Sequence, residues 1–218
     1  MNQPARGSIE DTSAPPVQVP VAISARHVHL TQETLEQLFG AGYQLRVRSP
    51  LLQLGQYAAQ ETVVLVGPRG RLAAVRIVGP TRSEDQVELS RTDAINLGVD
   101  APVRESGDLS GTPGIMIEGP AGKVTIERGV ICALRHIHMS AADAAALGIQ
   151  DQDRVSVKVS TSDRKLTFGD IVVRVSPVYR LELHLDADEG NAAGLHPGDD
   201  TVLVEIDNKP TAAISNAG

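Results

Sequence analysis

Four of the six histidines in this chain fall into two copies of one short pattern. The first copy reads Ala25-Arg26-His27-Val28-His29-Leu30-Thr31, the second Leu134-Arg135-His136-Ile137-His138-Met139-Ser140. His136 follows His27 by 109 positions. Residues i and i+2 of a strand face the same side. His-x-His on a strand therefore sets two imidazoles next to each other, an arrangement suited to zinc, copper, iron or nickel. One such pair is as easily two half-exposed strand histidines; two copies in the same setting favour a metal.

The setting recurs twice more in weaker form. Val87-Glu88-Leu89-Ser90 precedes Arg91 to Gly98, and Leu183-His184-Leu185-Asp186 precedes Ala187 to Leu195. Each of the four places reads as a ligand-type residue, an apolar residue, an N-cap residue and a short helix. The ligand-type residues are His29, Glu88, His138 and His184. The caps are Thr31, Ser90, Ser140 and Asp186, all of types that accept a hydrogen bond from the first helical turn. His27 and His136 add a second imidazole at two of the places. Five histidines and one glutamate are enough for two three-ligand sites, and a catalytic zinc keeps its fourth position open.

Other side chains also have types that could do chemistry. Arg82 lies in a Gly-Pro turn six residues before Glu88. Its fork would suit a phosphate, although on sequence alone a surface role explains a turn arginine slightly better. Arg26 and Arg135 recur with the histidines, as anion binders or as solvated residues flanking strands. Cys132 sits in the apolar run Val130-Ile131-Cys132-Ala133, where a thiol is usually buried and inert. His196 precedes a Pro-Gly turn and lacks the ligand setting. Glu182 shares a strand face with His184, as a spare ligand or simply a same-face carboxylate. His27-x-His29 followed by Glu33 fits part of a cupin pattern, but Glu33 falls inside the helix after Thr31.

The elements that must position these residues are short strands and shorter helices. Val19 to Ile23 leads into the first histidine pair, and Thr31 to Phe39 fits a helix with Leu35 and Leu38 on one face. Strands are expected over 62–66, 71–78, 86–89, 103–106, 114–118, 123–127, 154–159, 165–175, 181–185 and 201–206. Gly67-Pro68-Arg69-Gly70 and Gly119-Pro120-Ala121-Gly122 read as hairpin turns. Short helices are expected over 91–98, 141–147 and 187–193. Many short strands without a long helix between them argue for a mainly β, internally duplicated barrel architecture over a doubly wound sheet. Residues 1–18 carry Pro4, Pro15 and Pro16 and no apolar stripe, and read as a disordered leader. Residues 208–218 read as a tail.

Composition narrows the classes. The chain has 218 residues, no tryptophan, three tyrosines and two phenylalanines, so its core must be aliphatic. A formal charge of −7 argues against nucleic acid as a partner, which needs a basic face. One cysteine excludes an internal disulfide framework. Nothing in the sequence reads as a signal peptide or a membrane span, so a cytoplasmic protein is the default expectation.

At these residues the sequence resembles the phosphate propanoyltransferases of the propanediol-utilisation type. The resemblance is carried by Ser24 to Leu30, Gly55-Gln56-Tyr57-Ala58-Ala59, Gly79 to Ser90 with Arg82 and Glu88, Arg135 to Ser140, and Leu181 to Ala193. It implies a phosphotransacylase: propanoyl-CoA or acetyl-CoA plus phosphate gives acyl phosphate plus CoA. It implies two β-barrels capped by short α-helices, with the first strand joining the C-terminal barrel. The domains would then be 19–28 with 134–207, and 29–133. It further implies two divalent metal ions, normally zinc: one on His27, His29 and Glu88, the other on His136, His138 and His184. Arg82 would bind phosphate, and Ser24, Arg76 and Asn191 fall where CoA contacts are expected. A homodimer and association with a bacterial microcompartment are left open; the proline-bearing leader does not resemble an encapsulation helix. Two departures stand out. Leu52-Gln53-Leu54-Gly55 replaces a stretch that tends to carry Ser and Pro, and Asp85 replaces an uncharged residue. Both are expected to act on pocket shape or acyl preference.

The mechanism expected from these residues is direct attack of phosphate, held by Arg82 and the metals, on the thioester carbonyl, with no protein nucleophile. The rival enzyme is a dinuclear metallohydrolase of thioesters or phosphoesters that delivers water instead. The non-enzymatic rival is a module stapled by zinc, which would call for closed four-ligand sites.

Overall fold

The computed structural model describes residues 17–161, 164–196 and 198–206. The chain opens with β1 (Gln18–Ser24), β2 (His27–His29) and α1 (Gln32–Phe39). β3 (Val47–Pro50), the long hairpin of β4 (Tyr57–Val66) and β5 (Arg71–Gly79), β6 (Gln86–Glu88) and α2 (Arg91–Leu97) follow. Next come β7 (Val103–Arg104), the hairpin of β8 (Ile115–Glu118) and β9 (Lys123–Ile126), and β10 (Val130–Ala133). The last part runs through β11 (His136–Met139), α3 (Ala141–Leu147), β12 (Arg154–Ser160), β13 (Lys165–Val175), β14 (Glu182–Asp186), α4 (Ala187–Ala193) and β15 (Asp200–Ile206). Most of the expected leader and the whole expected tail lie outside the described residues, and Gln18 is already strand.

Two curved sheets share the chain. β1, β14, β11, β13, β12 and β15 close into a barrel, with β1 parallel to β14 and antiparallel to β15. The other strands run β7-β10-β6-β2-β5-β4-β8-β9, with β3 beside β4. The fold is thus mainly β, as expected, but this second sheet is a half-barrel. Its edge strands, the two-residue β7 and the four-residue β9, do not pair with each other, and among the described residues no strand closes it. The chain crosses from the closed barrel to the open sheet at Ala25 and Arg26.

The duplication shows in the register. β2 pairs parallel with β5 and antiparallel with β6. β11 pairs parallel with β13 and antiparallel with β14. His27 faces Glu88 in the first trio of strands, and His136 faces His184 in the second. Strand pairing across the sheet thus brings together residues that are dozens of positions apart in sequence.

Each sheet encloses its own aliphatic core. Leu30, Leu35, Leu38, Leu65, Ile77 and Ile117 are buried in the open sheet's core, and Ile137, Met139, Ile171 and Leu183 in the barrel's. Burying each such side chain contributes ~1.5–3 kcal/mol. The four expected caps are all present: Thr31, Ser90, Ser140 and Asp186 accept from the backbone N–H of Thr34, Asp93, Asp143 and Glu189. Asp186 and Glu189 form a reciprocal capping box. Gly98, Gly148 and Gly194 end α2, α3 and α4 in the left-handed conformation, where a side chain would be strained.

The two sheets meet through α2 and α4. The Thr92 N–H donates to Asp188 Oδ2 at 2.8 Å. Arg26, in the crossing segment, pairs with Asp93 at 2.8 Å, and Arg135 pairs with Glu189 at 3.2 Å. Both arginines of the repeated motif are therefore committed to acids in the first turn of a helix.

Candidate active site

The first ligand set is built on β2 and β6. The Nδ1 atoms of His27 and His29 lie 2.9 and 3.0 Å from the carbonyl oxygens of Ala25 and Val78. A carbonyl can only accept, so each Nδ1 carries the hydrogen and each Nε2 keeps a free lone pair. Both Nε2 atoms face the Glu88 carboxylate, at 3.5 and 4.0 Å. Burial alone would raise the Glu88 pKa, but the His27 and His29 charges and a hydrogen bond from Ser106 hold it down at about 2. Burial, with His27 and Arg82 nearby, pushes His29 down to about 3. Near neutral pH His29 is therefore a neutral imidazole and Glu88 an ionised carboxylate.

The second set repeats this on β11 and β14. His136 Nδ1 lies 2.8 Å from the Leu134 carbonyl, the counterpart of the contact between His27 and Ala25. The His136 and His184 rings stack with centroids 4.9 Å apart, and His138 Nδ1 lies 3.2 Å from His184 Nε2. Burial, then the neighbouring His184, lowers His136 to about 4 and His138 to about 2. His184 is flanked by Ser24 Oγ at 3.4 Å from Nδ1 and Glu182 Oε2 at 3.0 Å from Nε2.

Within each set, one potential ligand atom per residue lies within 4.8 Å of the others. Two imidazoles with a carboxylate in one set and three imidazoles in the other are donor sets that fit a zinc-type ion with an open coordination position. Both sets line a single cavity of about 450 Å³ at the junction of the two sheets.

The cavity also gathers most of the other expected residues. Arg82 lines it, fixed by its backbone N–H to the Leu30 carbonyl at 2.9 Å. Among the described residues its guanidinium has no hydrogen-bond or ion-pair partner, and burial lowers its pKa from the usual arginine range. Ser24 and Arg76 line the cavity too, Arg76 donating to the carbonyls of Ala59 and Gln60 at 3.0 and 2.8 Å. Asn191 does not; it lies exposed on α4. Leu52 and Gln53 reach the cavity wall as expected. Asp85 does not: it accepts from the Thr31 N–H and the Thr34 hydroxyl, both at 2.6 Å, and so holds the start of α1 rather than shaping the pocket. His196 stands exposed beside Asp199 and away from the cavity.

Arg174 and Tyr179 are cavity residues that the sequence reading missed. Arg174 lies opposite His138 in register and also lacks a side-chain partner among the described residues. The Tyr179 ring packs on His138 with centroids 4.2 Å apart. Neither belongs to a motif. The signal that could have found Arg174 is strand register: in a parallel pair, the position beside a ligand histidine shares its surroundings.

The phosphate propanoyltransferase family profile matches residues 20–196 of the chain. This chain belongs to that family. It is 55% identical over 186 residues to the phosphate propanoyltransferase of Thermotoga maritima, covering 85% of this chain and 89% of that protein. It is 51% identical to the Salmonella typhimurium protein of the same name, over 81% of this chain and 83% of that one. The Shewanella putrefaciens relative is 48% identical over 83% and 85%. Membership makes this chain an acyltransferase. Both histidine pairs, Glu88, Arg82 and His184 fall within the matched span. Cys132 does as well; it lies buried on β10, and that burial raises its pKa, which favours the thiol form. Among the described residues no helix is long and apolar enough to cross a membrane.

Proposed function

We propose that this chain transfers a propanoyl or acetyl group reversibly between coenzyme A and inorganic phosphate, in the cavity between its two sheets. The observation that carries this reading is the meeting, in one cavity, of two three-ligand sets with the Arg82 guanidinium, which has no partner among the described residues. His27, His29 and Glu88 would hold one divalent ion, and His136, His138 and His184 a second. When bound, such ions supply Lewis acidity toward the thioester carbonyl and phosphate oxygens.

The chain's own residues do the rest. Arg82 presents a planar fork to two phosphate oxygens, which orients the dianion and offsets its charge. Arg174 adds a second cation to the same wall. Leu51 and Leu52 give the acyl chain an apolar surface and help to exclude water. Ser24 and Arg76 lie on the lining where the CoA arm enters. A phosphate oxygen attacks the thioester carbonyl carbon and the carbon–sulfur bond breaks. The proton of hydrogen phosphate ends on the departing CoA sulfur, so no net proton is taken from the protein.

The reverse direction tests this reading. Propanoyl phosphate and CoA, incubated with zinc-loaded protein, should give propanoyl-CoA in amounts limited by the scarcer substrate. A hydrolase would give only free propanoate, and that product alone would overturn the proposal. Direct attack carries its own check. Labelled CoA should not exchange into propanoyl-CoA without phosphate, and Cys132→Ala should keep turnover within about twofold. Exchange without phosphate would mean an acyl-enzyme.

A further inference from the structure

The loop between β3 and β4 carries three leucines, and Leu51, Leu52 and Leu54 are all substantially exposed, up to 58%. Gln53, in their midst, is only 3% exposed. Its carboxamide is turned inward and its bonds all go to the closed barrel. Its Nε2 donates to the Arg180 carbonyl at 3.1 Å and to Glu182 Oε2 at 3.0 Å, and its Oε1 accepts from the Arg180 N–H at 3.2 Å. Both amide hydrogens are thus used. Glu182 Oε2 also lies 3.0 Å from His184 Nε2.

The duplicated site explains what this contact does. Two residues before a ligand on a strand is the same face. On β6 that position is Gln86, opposite His29; on β14 it is Glu182, opposite His138. Gln86 donates to Glu88 Oε1 and to Ser106 Oγ, and accepts from the Gly107 N–H. So each ligand strand carries a polar residue that holds its ligand, and each holder is itself tied down. The first is tied within its own sheet. The second is tied by Gln53, which comes from the other sheet.

We propose that Gln53 is a positioning residue: one amide seats the apolar loop against the cavity and, through Glu182, fixes the orientation of His184. The inference rests on reading His136, His138 and His184 as a metal set. Loop seating and the geometry of that set are then one coupled property, while the set of His27, His29 and Glu88 is independent of it.

Metal titration of the full chain tests this, with cobalt(II) as the absorbing probe and a chelator as competitor. Wild-type protein should bind two equivalents. In Gln53→Ala one equivalent should weaken by ~10–100-fold, the usual loss when a group supporting a ligand is removed. The other should be unchanged. KM for propanoyl-CoA should rise several-fold with KM for phosphate unmoved. Because truncation could also loosen the fold, a paired exchange provides the control. Gln53→Glu alone sets two carboxylates together and should weaken the same equivalent. Adding Glu182→Gln restores an amide–carboxylate contact between the two positions and should recover part of the affinity, the bond to the Arg180 carbonyl staying lost. Two unaltered equivalents in Gln53→Ala would overturn the assignment, as would equal weakening of both. A wild-type protein that binds no metal would overturn the underlying metal reading, and this assignment with it.

Discussion

Glu88 is the only carboxylate among the six candidate ligands, and its charge survives burial because Gln86 and Ser106 both donate to it, Ser106 at 2.8 Å. Replacing it with its isostere isolates that charge. Glu88→Gln should release one of two metal equivalents more readily, by more than the ~10–100-fold typical of losing a supporting group. Propanoyl-transfer activity should fall with it, as metal analysis and initial rates would show. Arg82 makes a different prediction. A hydrogen bond to a charged partner contributes ~1.5–3 kcal/mol, so Arg82→Ala should raise the KM for phosphate by ~10–150-fold. Arg82→Lys, which keeps the charge and loses the fork, should fall between. A raised KM for propanoyl-CoA with phosphate unmoved would move Arg82 to the CoA arm. The repeated His-x-His pairs, Glu88 and His184 were legible in sequence because type, spacing and cap recur together. Arg174, Tyr179 and the Gln53–Glu182 contact were not, because strand register and loop docking create those neighbourhoods without leaving a local pattern.

At the scale of elements, the helices were the most legible. A hydroxyl or carboxylate cap and a following glycine mark α2, α3 and α4 in both sequence and structure. The hairpin turns were legible for the same reason, since Gly and Pro declare them. β3 was harder to place. Val47 to Pro50 is exposed at every position, so no alternation marks it, and a proline at its end suits an edge strand. Asp85 shows the limit of reading a departure from a family pattern as a change in the pocket. Its carboxylate serves the Thr31 N–H and the Thr34 hydroxyl. Asp85→Ala should therefore cost ~0.5–2 kcal/mol of stability, the range for losing a helix cap. KM for both substrates should stay within error. Chemical denaturation and steady-state kinetics would separate the two effects, and a changed acyl preference at unchanged stability would contradict this account.

At the scale of the whole molecule, the site exists only where the closed barrel and the half-barrel meet, and each contributes one ligand set. Holding the apo sets together makes stability depend on pH. His29, His136 and His138 have folded pKa values near 3, 4 and 2, well below the ordinary 6.5. The unfolded chain therefore takes up protons first, and stability rises with pH through that window. Metal-free protein should keep a constant urea midpoint from pH 8 to 7 and lose stability as pH falls below about 6.5. Glu88, held near 2 against 4.5, adds a further loss below 4.5. A midpoint that rises on acidification to pH 5 would contradict the buried, neutral imidazoles. The central claim is that this cavity delivers phosphate to a thioester, and one assay addresses it most directly: CoA release from propanoyl-CoA by zinc-loaded protein, with and without phosphate. Release is expected only with phosphate, with one propanoyl phosphate formed per CoA. Equal release without phosphate, with free propanoate as product, would contradict it.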